Sequence, residues 1–187
     1  MVRFKNIHSG KRIWVCGTGP SLLKVNECDL VNDVIIACNS AMLHFNHPNY
    51  SIFVDAAVQK HNWFTKISKT QVCINLNEVI KRPNRKTVNI FGQSSEWGDW
   101  LIKETHYPGN IPHRAVSFAN IMGASEIILA GCDCKGGHPY DKPVKKNNFA
   151  NDIYLWQMMV ENNPKLNIRS ISKGTPIKYE PYKHLIC

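Results

Sequence analysis

The abrupt end of one apolar run constrains this chain most. Ile13 to Cys16 is apolar and is followed at once by Gly17, Thr18, Gly19, Pro20 and Ser21. A short continuous apolar run broken by glycine reads as a buried strand that stops in a tight turn. A helix is expected to open near Pro20 or Ser21. Glycine has no Cβ and tolerates positive φ, so the backbone there can come close to a ligand. A helix start at that point would aim unpaired N–H groups at the same spot, which suits an anion. The turn therefore points to a phosphate or a nucleotide. It is neither Gly-x-Gly-x-x-Gly nor a P-loop ending in Gly-Lys-Ser/Thr, so it does not say which.

The same pattern recurs along the chain. Strands are expected at Asp33–Cys38, Tyr50–Val54, Gln71–Asn75, Thr87–Phe91, Glu126–Ala130 and Leu166–Ile171. Their apolar character is continuous rather than alternating, as in strands covered on both faces. Helical patterns fall between them, at Ser40–Phe45, Ala56–Ile67, Arg114–Met122 and Asn148–Glu161. Ala115, Phe118, Ala119 and Met122 share one helix face. Such alternation indicates an α/β fold with a mainly parallel sheet. The 187 residues, 43% of them hydrophobic, fit one domain with a real core. We place that core at about residues 11–172, with 173–187 as an extended tail.

Bulk composition narrows the function classes. No run of about 18 apolar residues exists, so no membrane span is expected. The N-terminal residues lack the apolar stretch of a secretory signal. Seven scattered cysteines suit reduced, buried thiols and a cytoplasmic setting. A formal charge of +9 attracts anions, whether nucleotides, nucleic acid or acidic glycans. No nucleic-acid module accompanies it.

Polar residues gather where the strands stop. Thr18 and Ser21 follow the first strand, Asn39 and Ser40 the second, Asp55 the third, and Asp133 the Glu126–Ala130 strand. Ligands of open parallel sheets bind outside the carboxyl ends of the strands. Each residue singly reads as a helix cap; the set together reads as a site. Asp55 and Asp133 are candidate Mg²⁺ ligands, with water or phosphate completing the shell. Cys132 and Cys134 lack the Cys-x-x-Cys spacing of a zinc site and read as structural thiols. His138, in the loop just beyond Asp133, is placed to act as a general acid or base, or is an ordinary loop histidine. Arg114, at the start of the late helix, reads either as a holder of phosphate or carboxylate or as a solvated charge.

Four segments in this order resemble a known superfamily: Gly17 to Leu22, Val34 to Ala41, Ile52 to Asp55, and Met122 to Asp133. It contains the DUF115 proteins, namely the archaeal 6-hydroxymethylpterin pyrophosphokinases and the motility accessory factors. It also contains the bacterial sialyltransferases of the lipooligosaccharide type. The resemblance spans roughly residues 11–135. It implies a Rossmann-like three-layer sandwich and a nucleotide-dependent transferase. It further implies that Gly17, Thr18, Gly19 and Ser21 hold donor phosphates, that Asn39 contacts the nucleotide, and that Asp133 lies beside the same crevice. Thr18 stands where the sialyltransferases carry asparagine. Gly109 to His113 replaces their Thr-Ser-Gly turn.

Three functions follow as expectations. The first is a small glycosyltransferase that uses a nucleotide-activated sugar, with His138 deprotonating the acceptor and Asp133 beside it. The second is a Mg²⁺-dependent pyrophosphokinase, with the metal on Asp55 or Asp133. The third is a non-catalytic module that sequesters a nucleotide.

Overall fold

A computed structural model describes residues 4–53, 61, 64, 72–75, 87–89, 110–135 and 150–185. Asp55, His138 and the segment expected as Ala56–Ile67 lie outside the described residues, apart from His61 and Phe64.

Among the described residues, seven strands form one sheet in the order β5-β4-β3-β2-β1-β6-β7. They are β1 (Arg12–Cys16), β2 (Val34–Cys38), β3 (Tyr50–Phe53), β4 (Val72–Asn75), β5 (Thr87–Asn89), β6 (Glu126–Ala130) and β7 (Ile168–Ser170). Every pairing is parallel, and all seven strands fall on segments expected from the sequence. β1 sits between β2 and β6, with Val15 opposite Ile36 on one side and Leu129 on the other. The chain therefore builds outward from β1 to β5, then returns to add β6 and β7 on the far side. That reversal between β1 and β6 is the topological switch point of a doubly wound sheet.

The continuous apolar strands follow from burial on both faces. Ile13, Val15, Val34, Ile36, Ile127 and Leu129 face one layer, packed under α1 (Ile111–Ile121) and α2 (Ala150–Asn162). Trp14, Cys16, Ile35, Ala37, Ile128 and Ala130 face the other, with Leu22, Leu30, Met42 and Leu185. Three layers result, as the resemblance implies. Burying a side chain of this size is worth roughly 1.5–3 kcal/mol. The two faces of β1, β2 and β6 thus make the rigid floor on which the strand-end loops stand.

Two expected helices are corrected in kind. The segment after Gly19 is a five-residue 3-10 turn, Pro20–Lys24, and Asn39–His44 is also 3-10. Asn39 has φ +51°, a left-handed conformation that asparagine tolerates better than most residues. It breaks the chain out of β2 before a full helix can form.

α1 runs against the strands. Its last turn meets the chain ahead of β1, through His8 N–H to the Met122 carbonyl (2.9 Å) and Gly10 N–H to the Gly123 carbonyl (3.0 Å). An 11-residue helix spans about 16 Å. Its N-terminus therefore lies at the carboxyl rim of the sheet.

Residues beyond β7 close onto the same body. Ser170 bridges Tyr179, Ile177 enters the α1/α2 core, and Leu185 enters the opposite one. At the amino rim Arg12 donates to Glu126 (2.9 Å) and to the Leu185 carbonyl, while Arg169 reaches the other Glu126 oxygen (3.1 Å). Among the described residues no helix is long and apolar enough to cross a membrane.

Candidate functional site

The structure brings the loops after β1, β2 and β6 to one rim, because those strands are adjacent and parallel. Gly17, Thr18, Gly19, Ser21, Asn39, Ser40 and Asp133 all stand there. Arg114 is in the first turn of α1, at the same rim. It is buried, and burial lowers its guanidinium pKa.

The switch-point crevice between β1 and β6 is closed by the chain itself. Gly17 N–H donates to the Ala130 carbonyl and Gly19 N–H to the Gly131 carbonyl, both at 2.7 Å. A Cβ at Gly17 would sit 2.5 Å from the Gly131 oxygen, and one at Gly19 would overlap Asp133 Oδ2. The glycines of the first turn are thus required by the neighbouring loop. The close approach that these glycines allow is, in this structure, to the Gly131–Asp133 loop. Gly131 has φ +66° and would press a Cβ onto the Gly17 carbonyl.

Asp133 fills the anion position of the turn. Its Oδ2 accepts from the Ser21 amide (3.0 Å) and from Ser21 Oγ–H (2.9 Å). Ser21 Oγ in turn accepts from Gly131 N–H at 2.8 Å. Both side chains are buried. Hydrogen bonds to an ionised group are worth about 1.5–3 kcal/mol each. Asp133 and Ser21 therefore latch the two loops together. The expectation of unpaired N–H groups here is corrected, because the Ser21 amide already has an anion.

The other candidates lie on the β1–β2 side of the rim. Thr18 is half-buried there, and so is Asn39 as a whole residue. The Asn39 Oδ1 atom is fully buried and has no hydrogen-bond partner. A buried acceptor without a donor is destabilising by about 1–3 kcal/mol. Such groups mark places where something else completes the bond. Ser51 Oγ, one strand over on β3, is also buried without a partner.

The N-terminal half of α1 carries a residue that the sequence did not single out as a site. His113 is 2% exposed and stacks on Trp156 of α2, with centroids 3.9 Å apart. Its Nδ1 accepts from the Asn110 N–H at 3.2 Å, and the Asn110 side chain caps the helix in return. The readable signal was Asn110-x-x-His113, a variant of the capping box. Burial holds the imidazole neutral, with its pKa pushed down to about 3. The backbone at Asp152 and Asn110 offsets part of that effect. Nε2 makes no hydrogen bond. Nearby, burial pushes the Cys134 thiol up to about 12, with the Trp156 side chain pulling the other way. Cys16, Cys38 and Cys132 are likewise raised by burial. These thiols are inert packing groups.

No group of three or more His, Cys, Asp or Glu residues able to hold a metal occurs among the described residues. A cleft of about 430 Å³ opens on the opposite, amino rim, beside Arg12, Asp29, Asp33 and Glu126. Its charges already pair with one another, with Trp14 and Tyr182 taking the two aspartates.

An all-parallel doubly wound sheet whose polar strand ends meet at one rim defines a Rossmann-like α/β fold. Comparison with solved structures gives the same fold. The sialyltransferase CstII in complex with a trisaccharide acceptor and CMP superposes with a TM-score of 0.60 at 16% identity, covering 91% of this chain and 86% of that one. CstII from Campylobacter jejuni with cytidine-5'-monophosphate gives 0.58 at 16% identity, covering 92% and 86%. The MAf glycosyltransferase from Magnetospirillum magneticum AMB-1 gives 0.56 at 17% identity. The match covers 94% of this chain but 34% of that one, so this chain spans about a third of its length. No family model and no curated protein matches the chain.

Proposed function

We propose that this protein is a nucleotide-dependent transferase, a small glycosyltransferase that takes a nucleotide-activated sugar. The observation that carries the reading is the buried, unpartnered Asn39 Oδ1, placed beside Thr18 at the carboxyl rim of this fold. An N–H of a nucleotide base or an O–H of its sugar would complete its bond. The structural neighbours support the choice of ligand, since CstII has been solved with CMP.

In this reading Asn39 and Ser40 hold the nucleoside. Gly17, Thr18 and Gly19 supply the backbone rim next to the phosphate, and Ser21 keeps that rim in place through Asp133. Sugar transfer develops positive charge on the sugar and negative charge on the departing phosphate. Preorganised donors and a cation such as Arg114 lower that barrier by stabilising the leaving group. His138 would take the proton of the acceptor hydroxyl. Asp55, two positions beyond β3 in the sequence, is assigned to the same site. Within the superfamily, Val54-Asp55 resembles the DUF115 branch more than the sialyltransferase branch.

Magnesium does not fit the described residues. Asp133 Oδ2 is committed to Ser21, and no described cluster adds further ligands. No step is routed through a metal.

A thermal-shift screen of CMP, UDP, GDP and ATP, and of their sugar conjugates, tests the reading, because a ligand of the folded state raises Tm. Stabilisation by a nucleotide sugar, followed by its hydrolysis or transfer, is the expected result. Mg²⁺-dependent ATP binding with AMP release would replace it with the pyrophosphokinase. Tight binding without turnover would leave a sequestering module.

A further inference from the structure

Resting on the nucleotide-site reading, we propose that Gly174, far away in sequence, is a positioning residue for that site, acting through Asp133 on the Gly17–Ser21 turn. A Cβ at position 174 would overlap the Asp133 carbonyl oxygen, lie 3.0 Å from its carbonyl carbon and come within 3.1 Å of Lys135 Cε. Backbone is the nearer obstacle, and the Lys135 tip is free to swing aside. The Gly174 φ lies outside the left-handed region, so alanine is conformationally acceptable there. The whole effect of Gly174→Ala is therefore the push on Asp133.

The loop that carries Gly174 cannot retreat. Ser172 N–H donates to Ser170 Oγ (3.1 Å), Ser170 Oγ–H to the Ser172 carbonyl (3.2 Å), and Gly174 N–H to Ser172 Oγ (3.0 Å). Ile177 N–H donates to Thr175 Oγ1 (3.2 Å), and the Ile177 side chain is locked in the core. Ser170 and Ser172 are both buried. With this side fixed, Asp133 is what gives way. A displacement of about 1 Å takes both of its bonds to Ser21 beyond hydrogen-bond range. The Ser21 hydroxyl is then free to turn, and the Gly131 N–H loses its fixed acceptor. One glycine on a loop after the last strand thus sets the turn after the first strand.

Hydrogen exchange on the full-length protein, read at single amides, tests this without any ligand. In Gly174→Ala the amides of Ser21 and Gly131 should exchange at least about ten-fold faster, while those of Ile35 and Ile36 in β2 keep their rates. Ser172→Ala, which loosens the loop without adding volume, should move the same two amides in the same direction by less. In parallel, calorimetry with the nucleotide that stabilises the wild type should show about five- to ten-fold weaker binding to Gly174→Ala. Faster exchange confined to residues 172–177, or spread evenly over the chain, overturns the proposal, as does unchanged nucleotide affinity. If the wild type binds no nucleotide, the proposed function falls, and the exchange pattern still decides the Gly174 question. If Gly174→Ala does not fold, the Ser172→Ala exchange pattern decides it alone.

Discussion

His113 makes the fold acid-sensitive in a way that one substitution should remove. Its folded pKa, about 3, lies far below the value of about 6.5 it takes in an unfolded chain. Between those values the unfolded state binds a proton that the native state refuses. Stability is therefore complete above pH 6.5 and falls as pH drops toward 3. The slope approaches about 1.4 kcal/mol per pH unit. From pH 7.5 to pH 5.0 the loss from this single group integrates to about 2 kcal/mol. His113→Gln keeps an acceptor for the Asn110 N–H, as glutamine does in a capping box, and has nothing to titrate. Urea unfolding of both proteins at pH 7.5, 6.5, 5.5 and 5.0 supplies the comparison. The mutant starts less stable, because the stack on Trp156 is lost, and the gap should close by about 2 kcal/mol at pH 5.0. Carboxylates protonating in the same range affect both proteins alike and cancel. Parallel pH profiles would refute the reasoning, since they would mean that His113 is charged in the folded state or exposed.

Other outcomes are specific to the rim. Asp133→Ala removes the latch and leaves the Ser21 amide and hydroxyl unsatisfied. It should destabilise by about 1–3 kcal/mol in denaturant unfolding. Gly131→Ala adds a Cβ in a left-handed conformation against the Gly17 carbonyl, and a loss of about 2–4 kcal/mol is expected by the same assay. Asn39→Ala should weaken nucleotide binding about ten-fold by calorimetry and lower stability by no more than about 1 kcal/mol, because the strain of alanine at φ +51° is offset by removal of an unpaired oxygen. His138→Ala should abolish turnover and keep binding; an active variant removes this histidine from the mechanism.

Much of the fold was legible because burial on both faces writes itself as continuous apolar runs. β1, β2 and β6 are the clearest cases, and even the three-residue β7 was visible from Ile168 and its neighbours. The two 3-10 turns were not. A segment beginning at Pro20 or Asn39 looks the same in sequence whether it continues as an α-helix or stays a short 3-10 stretch, and the left-handed torsion at Asn39 is a backbone feature with no sequence mark of its own. The convergence of Thr18, Ser21, Asn39 and Asp133 was legible from the topology rule for parallel strands. That Asp133 itself would occupy the anion position was not, since the contact joins residues 112 positions apart. Gly174 was hidden for the same reason. Nothing near it in sequence announces the carbonyl it must clear. His113 falls just ahead of the expected Arg114–Met122 helix, and its burial depends on Trp156 arriving from α2.

The central claim is that ligand binds at the carboxyl rim. Backbone amide shifts recorded while a stabilising nucleotide or nucleotide sugar is titrated test it most directly. The account predicts that the largest changes fall on Gly17, Thr18, Gly19, Asn39 and Ser40. Changes centred instead on Gly10, Arg12, Asn32 and Ser125, around the cleft at the opposite rim, would contradict it.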